Sequence, residues 1–187
     1  MYNRRFTPDE ITHLEANEIF VFGSNLRGMH GGGAARVAHK SFGAEWGVGV
    51  GLTGRSYAIP TMQGGVDTIR PYVDEFIEFA KQHSELTFLV TRIGCGIAGF
   101  KDLDIAHLFA AAIDVENIIL PKSFVSIIQT AERYANEMST MKFEIVKFKL
   151  YPEDEAKLAT MSRKEMMEFM REIRQQKRYI VVGDDEE

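Results

Sequence analysis

The stretch I-F-V-F-G-S-N-L-R-G-M-H-G-G-G-A-A-R, residues 19 to 36, decides the fold. Ile19 to Phe22 is a short apolar run stopped by Gly23, which is how a strand buried on both faces of a parallel sheet reads. A helix is expected to follow from about Gly33 to Phe42, carrying Ala34, Val37, Ala38 and Phe42 on one side. Strand, glycine loop, helix is the first half of a crossover unit, and the chain repeats that pattern downstream.

Ser56 to Pro60 reads as a second strand, ended by its proline. Ile69, Tyr72, Val73, Phe76, Ile77 and Ala80 recur at helical spacing, and Pro71 is tolerated because it falls in the first turn. Thr87 to Ile93 predicts a strand, Asp104 to Ile113 a helix, Asn117 to Leu120 a strand and Val125 to Glu137 a helix. Alternating strands and helices predict an α/β fold, a mostly parallel sheet with helices on both faces. In such sheets ligands sit beyond the carboxyl ends of the strands.

Fifteen of the sixteen glycines lie between Gly23 and Gly99, whereas 21 of the 49 charged residues and six of the nine methionines lie from Met138 onward. The shift in composition places a domain boundary near residues 136 to 141, giving a first α/β domain over 1–138 and an extension over 139–187, packed on or beside it. The extension is expected to be strand, helix and strand: Phe143 to Leu150, a helix opened by the capping box Ser162-Arg163-Lys164-Glu165, and Tyr179 to Val182. Its methionine stripe, with Met166 and Met170, reads as a face packed against the main sheet.

With 45% hydrophobic and 26% charged residues in 187, the chain has the composition of a globular protein. No apolar run approaches the roughly 20 residues that cross a bilayer, and the amino terminus shows no signal-peptide core, so no membrane partner and a cytoplasmic location are expected. A single cysteine allows neither an internal disulfide nor a thiolate metal cluster, and no metal or cofactor is called for. A net charge of -5 argues against nonspecific coating of nucleic acid, which depends on clustered cations.

Two glycine-rich loops follow predicted strands, Gly23 to Gly33 and Gly94 to Phe100. Glycines let the main chain approach a ligand closely, and a helix opening behind them turns its unpaired N–H groups and positive dipole end toward the gap. That outlines a phosphate site. The spacing matches neither the dinucleotide fingerprint nor a Walker loop.

Several stretches together resemble the macro domains, a family that binds ADP-ribose and related nucleotides. They are most similar to the small macro domains that remove ADP-ribose from protein carboxylates. The likeness lies in Phe20 to Asn25, Met29 to Ala34, Phe42-Gly43, Gly54-Arg55-Ser56-Tyr57 through Thr61, and above all Arg92-Ile93-Gly94-Cys95-Gly96-Ile97, over about residues 17 to 122. The resemblance implies that Gly31, Gly32 and Gly33 face a diphosphate from one side. It implies that Gly94, Cys95, Gly96, Ile97, Ala98, Gly99 and Phe100 wrap the diphosphate and distal ribose from the other, and that Asn25 lies near that ribose. Where members of the family hydrolyse ADP-ribosyl bonds with asparagine-ordered water, Asn25 is the matching residue. The implied partners are ADP-ribose or a related nucleotide, free or carried on a protein or nucleic acid.

Two departures stand out. The similar hydrolases carry a lysine and an aspartate where this chain has Met62 and Ala98, which can neither attack a carbon nor move a proton. Asp102 is the nearest carboxylate that could substitute, against its ordinary role of capping the next helix. His30, inside the first loop, is a further candidate to touch ligand. Cys95 would need a base or positive field to become a nucleophile and reads as a small structural residue. Two other readings stand beside nucleotide binding: an interaction module working through the extension, and a protein processing nucleic-acid ends with Arg27, Arg36, Arg55 and Arg92.

Overall fold

A computed structural model describes residues 5–176 and 180–181. Its first compact unit, Met1–Ala131, is built on a five-stranded mixed, mostly parallel sheet in the order β2-β3-β1-β4-β5. These strands are β1 Glu18–Ser24, β2 Gly51–Thr53, β3 Ser56–Pro60, β4 Thr87–Val90 and β5 Ile118–Ile119. β1 pairs in parallel with β3 and β4, β4 with β5, and only the edge pair β2–β3 is antiparallel.

The central position of β1 follows from its side chains. Successive residues point to opposite faces, and both faces are apolar: Ile19 and Val21 enter one buried cluster, Phe20 and Phe22 the other. On the first face α2 (Arg70–Gln82) contributes Val73, Phe76, Ile77 and Ala80, which meet Phe88, Phe109 and Phe124. On the second, α1 (Gly33–Ser41) contributes Ala35 and Ala38, small enough to lie close over Phe20 and Phe22. Phe22, Phe76, Phe88, Phe109 and Phe124 are fully buried. Each such side chain contributes roughly 1.5–3 kcal/mol relative to exposure.

Several expected elements differ from the observed ones. β2 escaped the sequence because three residues at an edge are too few to show a period. The strand expected over Thr87 to Ile93 ends at Val90, and Arg92 and Ile93 belong to the loop that follows. The helix expected over Asp104 to Ile113 is a short α-helix, α3 (Asp102–Ala106), continued as a 3-10 helix over His107–Ala112. The expected strand Phe143 to Leu150 is overturned: α4 runs Lys122–Lys147, and only Phe148–Lys149 (β6) is extended. Val146, Phe148 and Leu150 alternate as a strand would, but Met138, Met141 and Ile145 also fit helical spacing, and a helix already under way extends more cheaply than it stops.

The second unit, Glu132–Glu187, holds α5 (Pro152–Leu158), α6 (Arg163–Gln176) and the antiparallel pair of β6 with β7 (Ile180–Val181). Of the strand expected over Tyr179 to Val182, the two end residues lie outside the described residues. The capping box forms: the Glu165 carboxylate accepts from the Ser162 N–H at 2.8 Å and from its hydroxyl at 2.5 Å. Met166 and Met170 pack with Leu150, Leu158, Phe169 and Ile173 in a small core of this unit. No described helix is long and apolar enough to cross a membrane.

Candidate functional site

The first glycine loop leaves the carboxyl end of β1 and is braced by the segment Glu45–Gly49. Ser24 donates its hydroxyl hydrogen bond to the Gly49 carbonyl, and the Gly47 N–H reaches Gly28 O at 2.9 Å. The approach is so close that a Cβ on Gly49 would lie 2.1 Å from the Asn25 carbonyl oxygen, which is why glycine stands there. Asn25 spans its own loop, donating from Nδ2 to Met29 O at 2.8 Å while Oδ1 accepts from the Met29 N–H at 3.1 Å.

The second loop leaves β4 and folds back on itself through Cys95 N to Arg92 O at 3.2 Å, Gly99 N to Gly96 O at 3.0 Å and Phe100 N to Gly94 O at 3.0 Å. Its mouth is tied by Arg92, whose guanidinium grips the Asp102 carboxylate at the start of α3. Gly94 sits at φ +72, a conformation other residues resist, with Phe100 and Ile105 packed where a side chain would go.

The two loops converge beyond the carboxyl ends of β1, β3 and β4 on a hollow of about 140 Å³. Gly32, Gly33 and Ala34 form one wall, Gly94, Gly96 and Ile97 the other. The loops nearly touch: Ile97 Cδ1 is 2.8 Å from the position a Gly32 Cβ would take, though the isoleucine is otherwise 71% exposed. A larger hollow of about 730 Å³ adjoins, sharing Ala34, Thr91, Arg92 and Gly96, and its far wall is the amino-terminal stretch Thr7 to Thr12.

What the small hollow offers a ligand is main chain. The N–H groups of Gly32, Gly33, Ala34 and Ala35, and those of Gly94, Gly96, Ile97 and Ala98, have no acceptor among the described residues, and all eight residues line it. Its polar side chains are committed elsewhere. The Thr91 hydroxyl bonds Val21 O at 2.9 Å, the Thr61 hydroxyl bonds Ser24 O at 3.4 Å, and Ser24, Asn25 and Arg92 are engaged as described. Met62 and Ala98 also line it and carry no titratable group. The chemistry on offer is therefore hydrogen-bond donation to an anion from fixed positions, with the first turn of α1 adding its positive end.

Among the residues expected at the site, Asn25, Gly32, Gly33, Gly94, Gly96, Ile97 and Ala98 are brought together here, and Cys95 faces the larger hollow instead. Gly31 and Gly99 lie outside both linings. Three expectations are corrected. His30 is 1% exposed and turned into the protein, its Nε2 at 3.0 Å from Glu45 O and 3.1 Å from Val48 O, because Phe22 and Trp46 offer it an aromatic niche. Phe100 packs against the core beside Gly94 and lines neither hollow. Asp102 faces Arg92 and lines neither hollow. Burial works to raise the Asp102 carboxyl, but the hydrogen bonds and positive charge of Arg92 outweigh it and hold it below the ordinary range. A carboxyl so placed is a poor proton donor near neutrality.

The Cys95 thiol is pushed up to about 12, by burial first and then by the neighbouring Asp102 carboxylate, so it stays protonated and unreactive. Sequence reading missed Thr91 and the wall from Thr7 to Thr12. Thr7 is placed by its N–H and hydroxyl bonds to Leu120 O and Ile119 O, at 3.0 and 2.6 Å, contacts more than a hundred residues apart with no local signal. Among the described residues no cluster of three or more histidine, cysteine or acidic side chains is placed to hold a metal ion. Comparison with known protein families, with characterised proteins and with solved structures finds no match to this chain.

Proposed function

We propose that this chain binds ADP-ribose or a closely related nucleotide diphosphate, holding the diphosphate between the two glycine loops with backbone N–H groups. The observation that carries the reading is the set of N–H groups without protein acceptors on both walls of one hollow. Donors fixed by the fold cost little further ordering when an anion arrives. The small hollow alone, at about 140 Å³, falls short of the roughly 300–1,000 Å³ of a whole-ligand site. The adjoining hollow supplies the remaining volume, so that a diphosphate in the first would carry its nucleoside end into the second. The likeness of the Arg92-Ile93-Gly94-Cys95-Gly96-Ile97 stretch to the macro domains points to the same ligand class.

Binding is favoured over hydrolysis. Asn25 spends its amide on Met29, Asp102 is paired with Arg92 away from the hollow, and no other side chain there titrates near neutrality. A nucleic-acid end is the weaker ligand, since two of the four arginines expected for it are engaged: Arg92 with Asp102, and Arg55 with the Glu15 carbonyl. Calorimetry with ADP-ribose tests the reading directly. Binding that is lost in Gly33→Glu, which places a carboxylate among the donors, supports it; a wild-type chain that gives no heat with ADP-ribose, or a variant that binds as tightly as wild type, overturns it.

A further inference from the structure

His30 lies outside the small hollow, yet it stands two residues before the stretch whose N–H groups form one wall. We infer that His30 is the positioning residue of this wall: it fixes the chain at the foot of Gly31 to Ala35 by clipping the carbonyls of Glu45 and Val48. The inference rests on the nucleotide-binding reading of the site.

Glu45 O and Val48 O are acceptors only, and both stand within hydrogen-bond distance of Nε2, at 3.0 and 3.1 Å. The ring therefore carries its proton on Nε2, shared between the two carbonyls. Nδ1 then has no hydrogen, and it has no partner although it is buried. An unpaired buried nitrogen costs free energy and persists where something else is gained. The ring is flanked edge-on by Phe22 at 5.2 Å between centroids and by Trp46 at 6.3 Å, which adds packing to the hydrogen bonds that orient it.

The benefit falls on the next residues. Gly31, Gly32 and Gly33 have no side chains by which the fold could hold them, and three glycines in succession are the most freely rotating backbone a chain can have. The His30 clip at one end and α1 at the other turn that stretch into a fixed arc. Without the clip, a ligand would have to order the arc itself, and the cost would appear as lost affinity. His30 thus acts on the ligand through its neighbours and touches nothing that binds.

The test uses the full chain and ADP-ribose in calorimetry. Glutamine places an amide N–H about where Nε2 stands; leucine fills the niche without a donor; asparagine keeps a donor too short to reach. His30→Gln is expected within about threefold of wild type, and His30→Leu and His30→Asn at least about tenfold weaker, with a less favourable entropy. Emission from Trp46, the only tryptophan, reports whether the niche stays packed. Rescue by glutamine separates donor-dependent positioning from simple filling of the niche. Wild-type affinity in His30→Leu overturns the inference, as does a glutamine variant as weak as the leucine one. Should His30→Leu fail to fold by circular dichroism, wild-type affinity in folded His30→Asn overturns it instead. A wild-type chain that gives no heat defeats the nucleotide reading itself, and the inference with it.

Discussion

Arg92 and Asp102 close the second glycine loop with three hydrogen bonds: Nε lies 3.0 and 3.1 Å from the two carboxylate oxygens, and Nη2 lies 2.7 Å from Oδ1. Arg92 ends the stretch leaving β4 and Asp102 begins α3, so the pair pins the two ends of Ile93–Lys101 together. A guanidinium presents its donors in a planar fork that matches a carboxylate, a geometry lysine cannot supply.

Asp102→Asn should lower stability by about 1–2 kcal/mol in urea unfolding at neutral pH, a charged hydrogen bond discounted for the exposure of the arginine. The folded carboxyl sits below its ordinary value, so its contribution is complete above the unfolded pKa and is lost as pH falls through the folded one. Wild type and variant are therefore expected to converge on acidification below about pH 4. A gap that stays constant down to pH 2 would contradict the assignment.

Cys95 should resist alkylation. With the thiol pushed up to about 12, the thiolate population at pH 8 is smaller than that of a free cysteine by orders of magnitude. Iodoacetamide labelling followed by mass spectrometry is expected to be slow in the native chain and fast in urea. Rapid native labelling would show that burial and Asp102 do not govern the sulfur.

Gly32 and Ile97 should be energetically coupled. Gly32→Ala meets only the terminal methyl of Ile97, a flexible group, so folding stability should change by no more than about 0.5 kcal/mol while affinity for ADP-ribose falls. Ile97→Ala in the same chain is expected to recover part of the loss, giving a coupling of at least about 0.5 kcal/mol. Strict additivity in the four affinities would mean the loops do not meet across the hollow.

Gly49→Ala should be costly in a way Gly31→Ala is not. At Gly49 the new carbon meets the backbone of Asn25, Leu26 and Gly28, which cannot yield without moving the loop, and a loss of about 3 kcal/mol is expected. At Gly31 nothing lies within 4 Å, so the alanine variant should unfold within about 0.5 kcal/mol of wild type. Thermal unfolding of the two proteins compares them directly.

Much of the fold was legible locally. Ile19 to Phe22 announced the central strand because a residue buried on both faces of a sheet leaves no polar alternate positions, and α2 announced itself by the spacing of Val73, Phe76, Ile77 and Ala80. The convergence of the two glycine loops was legible in part, since Gly32, Gly33, Gly94 and Gly96 do meet around one hollow. Where the reading failed, two local patterns competed, as at Phe143 to Lys147, or the element was too short to have a pattern, as with β2.

Apart from the short edge strand β2, the sequence by itself determined the order of the main strands and helices of the first unit and the two places where the backbone would be bare, because apolar period and glycine content are properties of neighbouring residues. Only the tertiary structure decided which way side chains in those bare loops would turn. His30 went inward to two carbonyls, Phe100 to the core and Asp102 to Arg92, while Thr7 was carried beside Leu120 to frame the larger hollow. Each of those outcomes depends on a partner distant in the chain, and a hydrogen bond or buried contact forms with whatever the fold brings within reach.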